Sequence, residues 1–197
     1  MLSFFSEPGV KEAVVQRVRE HQRLDQLIQR VYWDGSKGCG IGCATHSSDH
    51  RAFERLYNLP VFLAYMNEHI FESLPLEEAK GWTLRFFEAL PVGVDLELVF
   101  PRFMQWLLSD PDGMRQYANA ETLASIDTLV TLYSKRIAGI PFDGEAAWAA
   151  SAAAHATACI RRQADYLIVL LSSYESRPIL VYAPCQAEQE VAHHALR

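Results

Sequence analysis

Apolar residues recur every three or four positions through most of the chain, in segments that proline and glycine separate. This spacing places the apolar side chains on one face of a helix, so each segment predicts an amphipathic α-helix. Strand patterns are nearly absent, apart from a short apolar run at residues 179–182. The sequence therefore predicts an all-α fold, a compact array of seven to eight helices with short connections. The predicted helices are 8–31, 48–57, 60–73, 76–90, 95–109, 114–138 and 143–173.

Two residues are predicted to interrupt these helices. Pro101 lies within the fifth predicted helix and is expected to kink it or split it in two, because proline lacks the backbone donor that a helix interior needs. Asn119 marks an alternative break in the sixth, which is either one long helix or two short ones. The glycine- and cysteine-rich stretch after the first helix is expected to be a loop.

The chain has 197 residues, and half of them are hydrophobic. That is enough for one core, so we expect a single helical domain over residues 1–174. A C-terminal extension follows at 175–197, which is either poorly ordered or contains a frayed helix over 185–197. The N-terminus lacks the charged segment and apolar core of a secretory signal. No uninterrupted apolar run reaches the length of a membrane span. We therefore expect a cytoplasmic protein that does not enter the membrane.

The charge and the cysteines of the sequence limit the classes of partner and the cellular compartment that we expect. The net charge is −6, and lysine and arginine are scattered along the chain. General nucleic-acid binding needs clustered basic residues, so a protein partner or a second copy of the chain is the better expectation. Four cysteines without a secretory signal indicate a reducing compartment, where thiols stay free or bind metal.

Residues 32–50 are the densest concentration of special residues in the chain, with four glycines, two cysteines and two histidines. Each glycine costs about 1 kcal/mol in a helix interior, so a continuous helix is disfavoured. We expect a glycine-rich loop that leads into a helix near Ser47 or Ser48, since either serine is a good N-cap.

Zinc binding is one hypothesis for this stretch. Cys39, Cys43, His46 and His50 follow one another at intervals of four, three and four residues, and thiolates and imidazoles are the ligands of structural zinc. The usual site instead has two close pairs separated by a long span. A partial site of three ligands, completed from elsewhere, is an alternative; the protein would then hold one zinc ion, and otherwise no cofactor. The candidates for the distant ligand are His21, Asp49, His69, His155 and Cys159.

A catalytic thiol is a second hypothesis. Cys43 would be the nucleophile, His46 or His50 the base, and Asp49 the residue that orients the imidazole. In a third hypothesis, the glycine amides and Lys37 hold an anion. The favoured interpretation is structural: the thiols are small buried groups, and the glycines let the loop pack closely.

One motif of the chain consists of Tyr32-Trp33-Asp34-Gly35, Lys37-Gly38-Cys39, Gly42-Cys43, His46-Ser47 and Asp49-His50. In this motif, and in the segments 59–64, 70–75 and 163–167, the chain resembles a family of uncharacterised phage and bacterial proteins. The similarity extends over most of residues 4–171. It implies a phage or prophage lineage and an all-helical fold, and it implies no reaction. In this family we expect alanine where the chain has Gly40, a change that would loosen the loop.

Together these observations predict a helical accessory protein that binds a protein partner. The alternatives are a cysteine-dependent enzyme that uses Cys43 and a structural zinc-binding protein. Burial of the thiols distinguishes the binding protein from the enzyme. An enzyme needs a partly exposed thiolate at Cys43, whereas a binding protein with a structural loop keeps Cys39 and Cys43 in the core.

Overall fold

A computed structural model describes residues 1–111, 113–140 and 160–174. Within these ranges the chain forms eight α-helices and no strand, which confirms the predicted all-α array. The predicted strand at 179–182, the first half of the last predicted helix and the extension at 175–197 lie outside the described residues. The helices are α1 (Pro8–Arg23), α2 (Gly40–Thr45), α3 (Arg51–Tyr57), α4 (Val61–Ser73), α5 (Leu76–Ala89), α6 (Val99–Ser109), α7 (Ala120–Ile137) and α8 (Ile160–Ser172).

Proline and asparagine define several helix boundaries. Pro60 and Pro75 are the N-cap residues of α4 and α5, close to the predicted starts. Pro101 does not kink a helix, because α6 begins only at Val99 and the first turn of a helix leaves its N–H groups unpaired. The break near Asn119 is confirmed: its side chain accepts a hydrogen bond from the Thr122 amide and caps α7.

Helix α1 ends eight residues earlier than the apolar pattern predicts, at Arg23 rather than residue 31. The chain leaves the helix because Asp25 and Arg30 adopt left-handed backbone conformations. Gln26 accepts a hydrogen bond from the Gly38 amide at 3.0 Å, and Ile28 donates one to the Gly38 carbonyl at 2.9 Å. Pairing with the glycine-rich stretch therefore replaces the last two turns of the predicted helix.

Helix α5 lies at the centre of the core and packs against α1, α4 and α8. Its Trp82, Phe86 and Phe87 are fully buried, and each such side chain contributes roughly 1.5–3 kcal/mol by leaving water. The short helix α2 contacts α1, α4 and α5, so the glycine–cysteine stretch lies against the core. None of the described helices has the length and apolarity that crossing a membrane requires.

The N-terminus forms a left-handed turn at Ser3–Ser6, in which Phe4, Phe5 and Ser6 all have positive φ angles. Such conformations are costly for residues other than glycine, so the surroundings must hold them. Ser3 supplies much of that support: its amide donates to the Val94 carbonyl at 3.0 Å and its hydroxyl donates to the Pro91 carbonyl at 2.6 Å.

Candidate functional site

The glycine–cysteine stretch folds into helix α2, where the sequence predicted a loop. Cys39 is the N-cap residue, and its sulfur accepts a hydrogen bond from the Gly42 amide at 3.5 Å. His46 ends the helix in a left-handed conformation. The prediction that a helix begins at Ser47 or Ser48 is wrong: α3 begins at Arg51. Asp49, not a serine, accepts from the first amide of α3.

Close backbone packing explains why α2 contains glycines in spite of their low helix propensity. A Cβ atom on Gly42 would lie 1.7 Å from the Tyr32 carbonyl oxygen, and one on Gly38 would lie 2.1 Å from the same atom. The Cys39 amide donates to this carbonyl at 3.1 Å. Tertiary contact therefore outweighs a propensity cost of about 1 kcal/mol for each glycine in the helix.

Gly40 faces a different neighbour, the side chain of Thr83 on α5. A Cβ atom at this position would lie 2.4 Å from Thr83 Oγ1. The loosening expected from glycine at position 40 is therefore not seen: the absent side chain lets α2 approach α5 directly. At the other end of α2, the carbonyl of Ala44 accepts hydrogen bonds from Arg17 and Tyr57. Both ends of this short helix are held by the surrounding protein.

Both thiols of the stretch are in the core. Cys39 is 1% exposed and Cys43 is 0% exposed. The Cys43 thiol donates to the carbonyls of Gly38 and Gln26, at 3.4 and 3.5 Å. Burial raises the pKa of Cys43 to about 12 and that of Cys39 to about 11. At neutral pH both residues are thiols, whereas nucleophiles and metal ligands are thiolates.

His46 lies on the outer side of α2 and pairs with a second histidine. Its Nε2 is 2.7 Å from Nε2 of His21, whose Nδ1 is 2.6 Å from the side-chain oxygen of Gln26. The His46 ring also stacks on Trp33, with 4.8 Å between ring centroids. Burial lowers the pKa of His46, and the charges of Arg17 and His21 lower it further. A neutral imidazole at position 46 suits the hydrogen bond, because one of the two nitrogens must accept.

His50 belongs to a separate cluster. Its Nε2 is 2.5 Å from Oε2 of Glu68, and its ring lies 4.3 Å from the ring of Tyr32 and 4.5 Å from that of Tyr65. Asp49 orients neither histidine, since its carboxylate pairs with Arg55 at 2.8 Å on the surface. The hydrogen bond from Arg55 is the main cause that lowers the pKa of Asp49.

The residues grouped by the zinc hypothesis are thus divided by the fold. Both cysteines point into the core, whereas His46 and His50 bind different partners on the outer side. Among the residues that the structure describes, no three histidine, cysteine, aspartate or glutamate side chains form a group suited to a metal ion. His21 does reach a histidine of the stretch, while His155 and Cys159 lie outside the described ranges. Zinc binding stays a prediction.

The anion hypothesis receives little support from the backbone. The amide of Gly38 donates to Gln26, and that of Gly42 donates to the Cys39 sulfur. Lys37 is exposed in a turn that Asp34 stabilises, with the Lys37 amide 2.9 Å from the Asp34 carboxylate. Two of the four glycine amides are therefore used within the protein, and anion binding needs free amides.

Sequence reasoning missed the partners of the two histidines. His21 and His46 are 25 positions apart, and His50 and Glu68 are 18 apart, so helical periodicity relates neither pair. One partial signal is present in the sequence, because His21 is among the candidates for a distant ligand. The roles of Gln26, Trp33 and Tyr65 follow only from the folded chain.

Comparison with known proteins assigns neither a family nor a function to the chain. No protein-family model matches the chain, and no curated protein or solved structure shows significant similarity to it. The likeness to phage and bacterial proteins stays a prediction. We therefore infer the function from the geometry of this site.

Proposed function

We propose that this chain is a binding protein whose glycine–cysteine helix is the rigid base of a contact surface for a protein partner. The surface consists of two ring clusters. The first contains Trp33 and His46, and the second contains His50 and Tyr65. The observation that carries the proposal is the division of the stretch: its thiols are buried, whereas its rings lie at the surface.

The chemistry of the rings supports a protein partner. Tyr65 is 52% exposed in spite of its large aromatic ring. Aromatic side chains are enriched in protein interfaces, and tyrosine and tryptophan supply much of the binding energy there. Their rings bury a large area and have few rotatable bonds, so fixing them costs little entropy. Trp33 belongs to the first cluster, and the residue before it, Tyr32, contacts His50 of the second cluster. Two consecutive residues therefore connect the two clusters.

The backbone beneath the rings is already ordered by internal hydrogen bonds. The amide of Gly38 donates to Gln26, and the amide of Cys39 donates to Val31 and Tyr32. Asp34 accepts from the amides of Ser36 and Lys37 and closes the intervening turn. A partner would therefore bind a preformed surface and would not have to order this segment.

The alternative function is a cysteine-dependent enzyme in which Cys43 attacks and His46 or His50 acts as the base. That chemistry needs an accessible thiolate beside an imidazole. The Cys43 thiol instead bonds to two backbone carbonyls, and the two imidazoles bond to His21 and Glu68. The geometry favours the binding protein over the enzyme.

Thiol alkylation compares the two functions directly. The native protein is treated with iodoacetamide at pH 7.5, and each cysteine peptide is quantified by mass spectrometry. We expect Cys39 and Cys43 to react at least ~10³-fold more slowly in the native protein than in urea, because iodoacetamide reaches these thiols only when the core opens. Rapid native labelling of Cys43 would favour the enzyme and contradict the packed helix.

Photo-crosslinking in the cells that produce the protein tests the surface itself. A photoreactive amino acid is placed at Tyr65 or His46, one position in each cluster, and at Thr128 as a control. Thr128 is exposed on α7, which packs chiefly against α6 and away from α2. We expect the first two positions to form an adduct with the same protein and Thr128 to form none with it. Identical adducts at all three positions, or none, would contradict the proposal.

A further inference from the structure

A cavity of about 370 Å³ lies at the surface between α6 and its neighbours α7 and α8. It is lined by Arg102, Gln105, Trp106, Ser109, Ile137 and Tyr166. The four lining residues from α6 are three or four positions apart, so they lie on one face of that helix. A cavity of this size, with a few polar groups among apolar ones, suits a small molecule.

Two of the lining side chains form an aromatic wall. The rings of Trp106 and Tyr166 are nearly parallel, at 8°, with 4.0 Å between their centroids. The buried ring of Phe103 lies beside both, with centroid distances of 5.8 Å to Trp106 and 6.1 Å to Tyr166. The wall is therefore held by the core, and it offers an apolar contact to the ring of a ligand.

Arg102 gives the cavity a positive charge and is the one charged residue of its lining. Its guanidinium carbon lies 5.4 Å from the centroid of the Tyr174 ring, and within the described ranges it pairs with no carboxylate. Burial raises the pKa of Tyr166, and the charge of Arg102 opposes that rise. The acidic residue that follows α6, Asp110, already pairs with Arg162 at 2.9 Å. The charge of Arg102 is thus available to an anion.

We propose that this cavity binds a small aromatic carboxylate, whose ring packs against Trp106 and Tyr166 and whose carboxylate pairs with Arg102. The planar guanidinium matches a carboxylate with two parallel hydrogen bonds. A neutral aromatic compound would leave this charge unused. A phosphate dianion would call for a second cation, which the lining does not contain.

The polar groups at the edge of the cavity fit such a ligand. The amide nitrogen of Gln105 donates to the Ser134 hydroxyl at 2.8 Å, which fixes the Gln105 side chain. Ser109 is exposed at the end of α6 and can donate to the same carboxylate. The site is built from α6, α7 and α8, whereas the proposed contact surface lies around α2. The ligand site is therefore independent of the proposed protein partner.

A matched pair of compounds tests the proposal on the unaltered chain. The probe is 2-naphthoate, and 2-naphthamide has nearly the same shape without the charge. Each is titrated into the ¹⁵N-labelled protein at pH 7, and amide and indole shifts are followed by NMR. We expect 2-naphthoate to bind with a Kd of about 1 mM or tighter and to shift the indole signal of Trp106. Shifts from 2-naphthamide at equal concentration should be at least ~5-fold smaller.

Equal shifts from the two compounds would overturn the proposal, because the charge of Arg102 would then play no part. The absence of binding by 2-naphthoate would overturn it as well, and so would shifts confined to residues outside α6, α7 and α8. These outcomes do not depend on the folding of any variant.

Substitution of Arg102 locates the anion. Arg102→Gln should raise the Kd for 2-naphthoate at least ~10-fold and leave the weak binding of 2-naphthamide unchanged, a difference that a general disturbance of the site would not produce. Arg51→Gln is the control, since it changes the net charge equally on α3, which packs against α2 and α4. It should alter the Kd by less than about twofold. An unchanged Kd in Arg102→Gln, or an equal rise in both variants, would overturn the proposal.

Discussion

The segment around α2 has an inner side that faces the core and an outer side that faces the surface, and the two sides make different kinds of contact. The inner side consists of glycines whose neighbours leave no space for a side chain and of cysteines that are buried in the core. The outer side consists of rings that contact one another and remain partly exposed. Residues that lie a few positions apart in the sequence are therefore under very different constraints. The inner side determines where α2 lies, and the outer side forms the proposed contact surface.

The largest expected effect tests the inner side. Gly42→Ala should destabilise the protein by about 3 kcal/mol or more, because the new methyl group would lie 1.7 Å from the Tyr32 carbonyl oxygen and backbone must move to relieve the overlap. Urea unfolding at pH 7 measures the change. Gly81→Ala is the control and should be neutral or stabilising by up to about 1 kcal/mol. Similar values for the two variants would show that α2 is not packed as described.

The hydrogen-bonded pair of His50 and Glu68 on the outer side should contribute much less. His50 and Glu68 are partly exposed, with side-chain exposures of 24% and 29%, so solvent screens their interaction. A double-mutant cycle with His50→Gln and Glu68→Gln should give a coupling free energy of about 0.5 kcal/mol. A coupling as large as the loss in Gly42→Ala would remove the distinction between the two sides.

The contribution of His46 to the pH dependence of stability is expected to be smaller, and it tests a single residue. The pKa of His46 is lowered in the folded protein, so the unfolded state binds more protons as the pH falls below about 6.5. Stability is therefore lost on acidification through this window. His46→Asn removes the titrating group and retains a residue that tolerates the left-handed conformation.

Urea unfolding at pH 8 and pH 5.5 measures this effect. The wild type should lose more stability between the two pH values than His46→Asn does. Equal losses would contradict the packing of the His46 ring against Trp33 and His21.

The smallest effect is expected at Tyr65. Tyr65→Ala should change the free energy of unfolding by less than about 0.5 kcal/mol, because the ring is half exposed and its main contact is the His50 ring. Thermal and urea unfolding measure it, with Thr128→Ala as the surface control. A loss of several kcal/mol would make Tyr65 part of the core and weaken the proposed binding surface.

Local sequence signals predicted those parts of the fold that local chemistry controls. Pro60 and Pro75 determined the starts of α4 and α5, and the Asn119 cap determined that of α7. The pattern failed where distant contacts compete with local preference. Leu24, Ile28 and Val31 continue the apolar spacing of α1, yet pairing of this segment with Gly38 ends the helix at Arg23. Helix α2 was missed for a related reason, since its glycines serve contacts with Tyr32 and Thr83.

The residue types of the stretch single out Cys39, Cys43, His46 and His50 as candidate site residues, and that role stays a prediction. Spacing alone places all four on one face, whereas the turn at His46 and the burial of the thiols separate them. Which histidine meets His21 and which meets Glu68 depends on how α1 and α4 pack around α2, and no local pattern encodes that.

The left-handed turn at the N-terminus has a consequence for the synthesis of the chain. Ser3 and Phe4 are completely buried, and Ser3 is bonded to Pro91 and Val94. Ser3 and Phe4 can therefore reach their final positions only after Pro91 and Val94 have been synthesised, 88 or more positions later in the chain. Until then Phe4 is apolar surface that a chaperone can bind.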